Sequence, residues 1–385
     1  MSSGRLPVGC PESGETLMHL PLLKVLPEDF RVTEALALDT APPDASTHTY
    51  LLLWKRGLTT HEALGRLAEA FGVDAQDVRA AGLKDEDGIT EQFVSVRAVL
   101  SPDDMDRANT RGRSDSGDRA WHVTPYGTGT TALRTGVLDG NCFRLVVRGL
   151  DVTAATALAE GPQRHTHFFV NYYDTQRFGV PDGPKQTHLI GGALLAGEED
   201  AALDLLRRSG SAEGARALEH QGPAAEFWKL LDPRVPVFYR CAHASYEWNA
   251  QVRSLLQEVA GREAALVDRE GLPYAFATTR EAVLALAARC PELDYVRYRW
   301  TDGECVRSTA ARPTVLQTHI SVHRVEPDPV HPGRFACTLS FFLPSGGYAT
   351  AAVHQWFVQT LGTPADGVPD AAMAAAAPAG SGRGA

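Results

Sequence analysis

The six cysteines, at positions 10, 142, 241, 290, 305 and 337, never fall into a Cys-x-x-Cys pair. That spacing argues against a zinc ribbon or a disulfide framework and suits a reducing compartment. No His-Glu-x-x-His is present either. His165-Thr166-His167 is a pair, with His188 and His243 scattered beyond it; no bound metal is expected from that pattern. There is no Gly-rich loop of the Walker type, which argues against nucleoside triphosphate hydrolysis. No apolar run reaches the roughly 20 residues of a membrane span. The N-terminal stretch lacks a basic region followed by an apolar one, so a cytoplasmic protein is expected.

A basic excess is missing as well, since the net charge is -10. A nucleic-acid partner would then need a local positive face, because phosphate contacts are short-ranged in salt. Arg97, Arg107, Arg111, Arg113, Arg119, Arg134, Arg144 and Arg148 crowd one third of the chain and are the candidates for it. A solvated surface accounts equally well for any single one of them.

A chain of 385 residues can bury one large core or two. Residues 1–20 lack periodicity, and 363–385 are mostly Ala, Gly and Pro; both are expected to stay loose. Residues 49–54 read as a buried strand. Thr59-x-x-Glu62 is a capping box opening a helix whose Leu64, Leu67, Ala68 and Phe71 share a face, stopped by Gly72. The polar run 111–118 reads as a loop. In the stretch 141–148, Phe143, Leu145 and Val147 point one way. Arg144 and Arg148 point the other, toward a possible phosphate. From about 180 to 310 the pattern turns helical, with Leu203, Leu205 and Leu206 in one helix and Val252, Leu255, Leu256 and Val259 in another. Thr278-x-x-Glu281 is read as a further cap. Strands return at 315–325 and 335–343, followed by a helix carrying Val353, Trp356, Phe357 and Thr360.

One short stretch concentrates chemistry. Gly82-Leu83-Lys84-Asp85-Glu86-Asp87-Gly88-Ile89-Thr90-Glu91-Gln92 places a carboxylate, Asp85, in a polar loop between apolar segments, with a cation beside it. A neighbouring cation keeps a carboxylate ionised, as a nucleophile requires. A hairpin turn at Asp87-Gly88 explains the same residues without chemistry.

That loop resembles the Gly-x-Lys-Asp-x-x-x-x-Thr-x-Gln signature of the TruD family of tRNA pseudouridine synthases. Five further segments resemble the family in order. They begin at Lys24-Val25-Leu26-Pro27-Glu28-Asp29-Phe30-Arg31-Val32-Thr33-Glu34 and Gly140-Asn141-Cys142-Phe143-Arg144. Asn171-Tyr172-Tyr173-Asp174-Thr175-Gln176-Arg177-Phe178-Gly179 and Ala244-Ser245-Tyr246-Glu247-Trp248-Asn249 come next. Phe341-Phe342-Leu343-Pro344-Ser345-Gly346-Gly347-Tyr348-Ala349-Thr350 closes the series. Two positions depart from the family: Asp174 stands where Gly is usual, and His354-Gln355 where Arg-Glu is usual.

The resemblance implies an α+β fold. In it a pseudouridine synthase catalytic domain with a mixed or antiparallel sheet (21–167 and 315–362) is interrupted by an inserted α/β domain (168–314). It implies conversion of uridine to pseudouridine in tRNA, at uridine 13 of the D-arm, with no cofactor; with no coiled coil or obvious pairing strand in the sequence, a cytoplasmic monomer is expected. Asp85 is then the nucleophile, attacking C1′ or assisting a glycal route. The target base must leave the RNA stack, and flipped bases are held by an aromatic face and edge hydrogen bonds. Phe143 fits the first role, Asn141 the second, and Phe30 and Phe341 further walls; core packing or a turn explains each of these residues too. Lys24 and Lys84 compete as the cation for Asp85. Arg177 is a candidate for a buried ion pair or a phosphate contact. The alternative from another class is a tRNA-binding or RNA-chaperone protein whose catalysis is secondary.

Overall fold

The computed structural model describes residues 20–114, 119–134, 136–181 and 183–362. Both expected loose ends, 1–20 save its last residue and 363–385, lie outside that range.

The first part of the chain builds one half of a sheet. Strands β1 (Phe30–Ala35) and β2 (His48–Arg56) precede helix α1 (Thr60–Phe71). Thr59 and Glu62 close the expected capping box, each side chain bonding the other's backbone N–H. Gly72 ends the helix at φ 67°, a left-handed conformation that glycine adopts without strain. Strands β3 (Val78–Ala80) and β4 (Ile89–Val96) flank the Asp85 loop. Helix α2 (Pro102–Ser114) and strands β5 (Ala120–Gly129) and β6 (Gly140–Leu150) follow. The expected loop at 111–118 is corrected in part, because α2 continues to Ser114. Arg111 is exposed on that helix, which packs against β5.

Helix α3 (Val152–Glu160), capped by Asp151, leads to β7 (Arg164–Val170). A helical run comes next: α4 (Thr187–Ala196), α5 (Glu199–Arg207), α6 (Ala212–Glu219), α7 (Ala224–Leu230) and α8 (Arg234–Ala260). Two hairpins that the helical pattern concealed sit around α9 (Arg280–Arg289). They are β8 (Ala264–Arg269) with β9 (Leu272–Ala277), and β10 (Glu292–Thr301) with β11 (Glu304–Pro313). Their turns, Glu270-Gly271 and Asp302-Gly303, hold both residues at positive φ, the geometry of a two-residue hairpin loop. Helix α9 is capped by Thr279, not Thr278: the Thr279 hydroxyl accepts from Ala282 N.

The chain then returns to the first sheet through β12 (Val315–Pro327) and β13 (Phe335–Pro344), and helix α10 (Ala349–Leu361) closes the described part. Nine strands form that sheet in the order β5-β2-β4-β1-β6-β13-β12-β7, with β3 paired to β4. Only β1 and β4 run parallel; the sheet is otherwise antiparallel, so it is mixed. Its centre buries Phe143, Leu145, Leu339 and Leu343 against Ala352, Val353, Trp356 and Phe357 of α10. A second core joins α8, α9 and the β8–β9 hairpin, and a third gathers α4, α5, α7 and Tyr239 of α8. No helix among the described residues is long and apolar enough to cross a membrane.

Candidate active site

The Asp85 loop spans 81–88, between β3 and β4. It is wider than the two-residue turn that Asp87-Gly88 alone would suggest. Gly88 is needed for close approach: a Cβ there would lie 2.5 Å from the Phe30 carbonyl oxygen. Three buried side chains hold the loop backbone. Gln92 Nε2 donates to Gly82 O at 3.1 Å, Lys84 N donates to Thr60 Oγ1 at 2.9 Å, and Lys55 Nζ donates to Asp85 O at 2.8 Å. The Asp85 carboxylate itself stays reachable, with 37% of its side chain exposed.

The competition between two lysines has a clear outcome. Lys24 Nζ lies 2.7 Å from Asp85 Oδ2 and 4.3 Å from the Phe30 ring centroid. Lys84 turns away to Glu34, 2.5 Å from its Oε1. The partner of Asp85 is thus the distant lysine and not its sequence neighbour. Burial pushes the Glu34 carboxyl up from its ordinary pKa, against the pull of Lys84 and the hydrogen bond from Phe93 N. Lys24 sits at φ 59°, a strained conformation for a residue with a side chain.

The segment carrying Lys24 is locked from behind. Leu22 and Arg148 exchange backbone hydrogen bonds of 3.2 and 3.0 Å. The Arg148 side chain donates twice to Asp29, at 2.7 Å each, and once to Asp328 at 2.8 Å. Arg148 is therefore no phosphate contact; it is buried. Most of the other arginines have partners of their own. Arg97, Arg107 and Arg119 pair with Asp77, Asp104 and Glu62. Arg111 reaches the Glu69 carbonyl. Arg134 and Arg144 are exposed, and the Arg113 side chain lies outside the description.

Aromatic rings line the sheet beside this ion pair. Phe30, Phe143 and Phe341 sit on adjacent strands β1, β6 and β13, with Phe143 opposite Phe341 and Val32 in register. Phe143 stacks on Phe341 at 5.3 Å and meets Phe30 edge-on at 6.0 Å. An open cleft of about 380 Å³ runs along β6, β12 and β13, lined among others by the exposed Cys142 and Phe342 with Arg164 and His319, while the Phe143 and Phe341 rings are buried with the core. Asn141 lies two residues from Phe143, on the same face and opposite Glu34. Its Oδ1 is buried with no hydrogen-bond partner among the described residues. A buried acceptor left empty costs free energy unless a ligand fills it.

The remaining motifs meet in one junction. Arg312 Nη2 donates to the Asn171 side chain at 2.7 Å and to Gly346 O at 3.0 Å, while its guanidinium lies over Tyr173 at 4.1 Å. Asn249 pairs through its amide with both backbone groups of Tyr173, at 2.9 and 2.8 Å. Asp174 is buried, binds Arg269 and accepts from the Thr350 hydroxyl. The departure from the family thus serves as a link between the β8–β9 hairpin and α10. At the second departure, Gln355 Oε1 accepts from Val170 N and its Nε2 donates to Val170 O, at 2.8 and 2.9 Å. His354 is held neutral, because burial drives its pKa well below normal and Arg269 adds to that. Arg177 makes no ion pair with a carboxylate among the described residues; it donates to Ser245 Oγ at 3.3 Å and lies over Phe238. The Asp85 charge reaches this junction, acting on the Tyr348 hydroxyl, whose pKa is raised chiefly by burial. No group of His, Cys, Asp and Glu among the described residues is arranged to hold a metal. His167 of the expected histidine pair is buried and held near a pKa of about 3.

The family model described as TruD, tRNA pseudouridine synthase D, matches residues 21–223, more than half of the chain. The chain belongs to the TruD family. It is 36% identical over 186 residues to a tRNA pseudouridine synthase D of Geotalea daltonii, covering 48% of this chain and 43% of that protein. Over 176 residues it is 38% identical to one of Anaeromyxobacter dehalogenans, 46% of each chain. The chain spans about half the length of the curated relatives it matches. A solved TruD structure from Methanosarcina mazei superposes with a TM-score of 0.55 at 18% identity, covering 90% of this chain and 95% of that one. That likeness speaks to the fold, and the TruD fold carries the mixed sheet found here.

Two residues of the site carry no weight in the motif reading: Lys55 and Arg312. Lys55 had a signal. It shares the inward phase of β2 with Leu51 and Leu53, where a lysine is out of place. Arg312 had none, because its partners lie far away in sequence.

Proposed function

We propose that the protein isomerises uridine to pseudouridine in tRNA, at position 13 of the D-arm, with Asp85 as the nucleophile. The observation that carries this is the Lys24–Asp85 ion pair beside the Phe30, Phe143 and Phe341 rings. Lys24 keeps the carboxylate ionised and aims it. The flipped uracil stacks at Phe143, and the empty Asn141 Oδ1 accepts from the uracil N3–H. That grip retains the free base while it turns from N1 to C5 attachment. Attack at C1′ and assistance of a glycal route both use the same carboxylate.

The reading divides the chain into a catalytic unit of 21–167 and 315–362 and an inserted unit of 168–314. The return of β12 and β13 to the sheet begun by β1 and β2 supports that division. It also has the protein acting in the cytoplasm as a monomer on free tRNA. Pseudouridine mapping of tRNA from cells with and without the gene tests the reading. Loss of the D-arm modification, restored by wild type but not by Asp85→Ala, is the expected result. Restoration by Asp85→Ala would favour the RNA-chaperone alternative, and an unchanged map would remove tRNA as the substrate.

A further inference from the structure

We propose that Lys55 is a positioning residue for Asp85: its buried ammonium fixes the backbone carbonyl of Asp85 and thereby the direction of the carboxylate. The proposal rests on Asp85 being the reacting carboxylate. Lys55 lies near the end of β2, paired with Thr90 of β4 and Trp121 of β5, and its side chain is 0% exposed. Its Nζ donates to Leu58 O at 2.8 Å, to Asp85 O at 2.8 Å and to Lys84 O at 3.4 Å. An ammonium has three N–H groups, and three carbonyls meet them. No carboxylate of the described residues pairs with it.

A buried cation satisfied only by carbonyls is an expensive way to fill a strand position. Apolar side chains of similar volume stabilise such sites better. Leu51 and Leu53, on the same face, show what the core itself accepts there. What the ammonium adds is a bridge between the end of β2 and both residues of the Lys84-Asp85 pair. With the carbonyl of Asp85 pinned below and Lys24 gripping Oδ2 above, the residue is held at two points. Preorganisation of this kind sets kcat: a displacement of about 1 Å can cost about 100-fold.

The bridge depends on the proton. Burial pulls the Lys55 pKa down to about 8, opposed by Asp85 and, more weakly, by Glu86 and Asp87, while Lys84 adds to the fall. The neutral amine keeps two N–H groups for three carbonyls, so the loop is released as pH rises through that value.

The test compares wild type and Lys55→Met on a tRNA transcript, measuring kcat and KM from pH 6 to 9.5 together with urea unfolding. The expected result is a folded variant at least as resistant to urea as wild type. Its KM should stay within about threefold and its kcat should fall by about 100-fold. The wild-type profile should lose activity above pH about 8, and that limb should vanish in the variant. Wild-type kcat in folded Lys55→Met, or an identical alkaline limb in both proteins, overturns the proposal. Should Lys55→Met fail to fold, a flat wild-type profile to pH 9.5 overturns it and a fall near pH 8 supports it. No product from wild type at any pH defeats the parent reading instead, and with it this one.

Discussion

Replacing Arg148 by Met should cost the protein much of its stability and slacken the candidate site at the same time. Asp29 and Asp328 are almost wholly buried and share this one guanidinium, through hydrogen bonds of 2.7, 2.7 and 2.8 Å, with His331 also meeting Asp328. Removing the cation strands the buried Asp29 charge and weakens the hold on Asp328, and breaking a buried ion pair costs about 3–5 kcal/mol. The damage is uneven. Asp328 keeps Val330 N, Gly149 N and His331 as donors, whereas Asp29 keeps Leu26 N. The segment 24–29, which carries Lys24, is therefore the part that loosens. Urea unfolding followed by tryptophan fluorescence measures the loss as a fall in midpoint at constant slope. The triple variant Asp29→Asn, Arg148→Met, Asp328→Asn removes the stranded charges and should recover more than half of it. A loss below about 1 kcal/mol for Arg148→Met would refute the reasoning, because a buried pair cannot be broken so cheaply.

Three further outcomes follow from particular atoms. Gly88→Ala sets a Cβ against the Phe30 carbonyl and should destabilise the protein by about 1–3 kcal/mol while lowering turnover; unaltered thermal unfolding would show that the loop yields. Asn141→Ala removes an acceptor that has no partner among the described residues, so unfolding should change by less than about 1 kcal/mol while kcat/KM falls. A large stability loss with full activity would contradict the base-edge role. Lys55 binds a proton less readily folded, near pH 8, than unfolded, near 10.5. The unfolded chain then holds more protons in that window, so stability rises with pH there. Wild type should gain about 1 kcal/mol on Lys55→Met between pH 7 and 9 in parallel urea titrations, and a gap that does not narrow would contradict this.

The sheet was legible where periodicity and capping had a local cause. Thr59 and Glu62 cap α1 because both halves of the box lie within one turn. Phe143, Leu145 and Val147 fall on the buried face of β6 because strand alternation holds across them. Alternation failed at Arg148. Its pairing with β13 shifts register near Phe335 and Gly149 adopts φ 74°, so the strand bends and the arginine turns inward. The β8–β9 and β10–β11 hairpins were hidden by the helical residues around them, although Asp302-Gly303 marks a turn. Candidate site residues were legible through the motif resemblance, but which lysine meets Asp85 was not. Lys24 lies 61 residues away and reaches it only because Arg148 and Asp29 hold that segment in place. Lys55 was overlooked because a lysine in a strand is ordinarily taken as facing solvent.

The most direct test of the central claim is pseudouridine formation by purified wild type and Asp85→Ala on an unmodified tRNA transcript. RNA binding and urea unfolding should be measured on the same samples. The account predicts product at position 13 with wild type. It predicts none with Asp85→Ala, with binding retained and unfolding little changed, since that carboxylate is partly exposed and its loss strands only Lys24, itself near solvent. Product from Asp85→Ala at a rate near that of wild type would contradict the account and move the chemistry to another group.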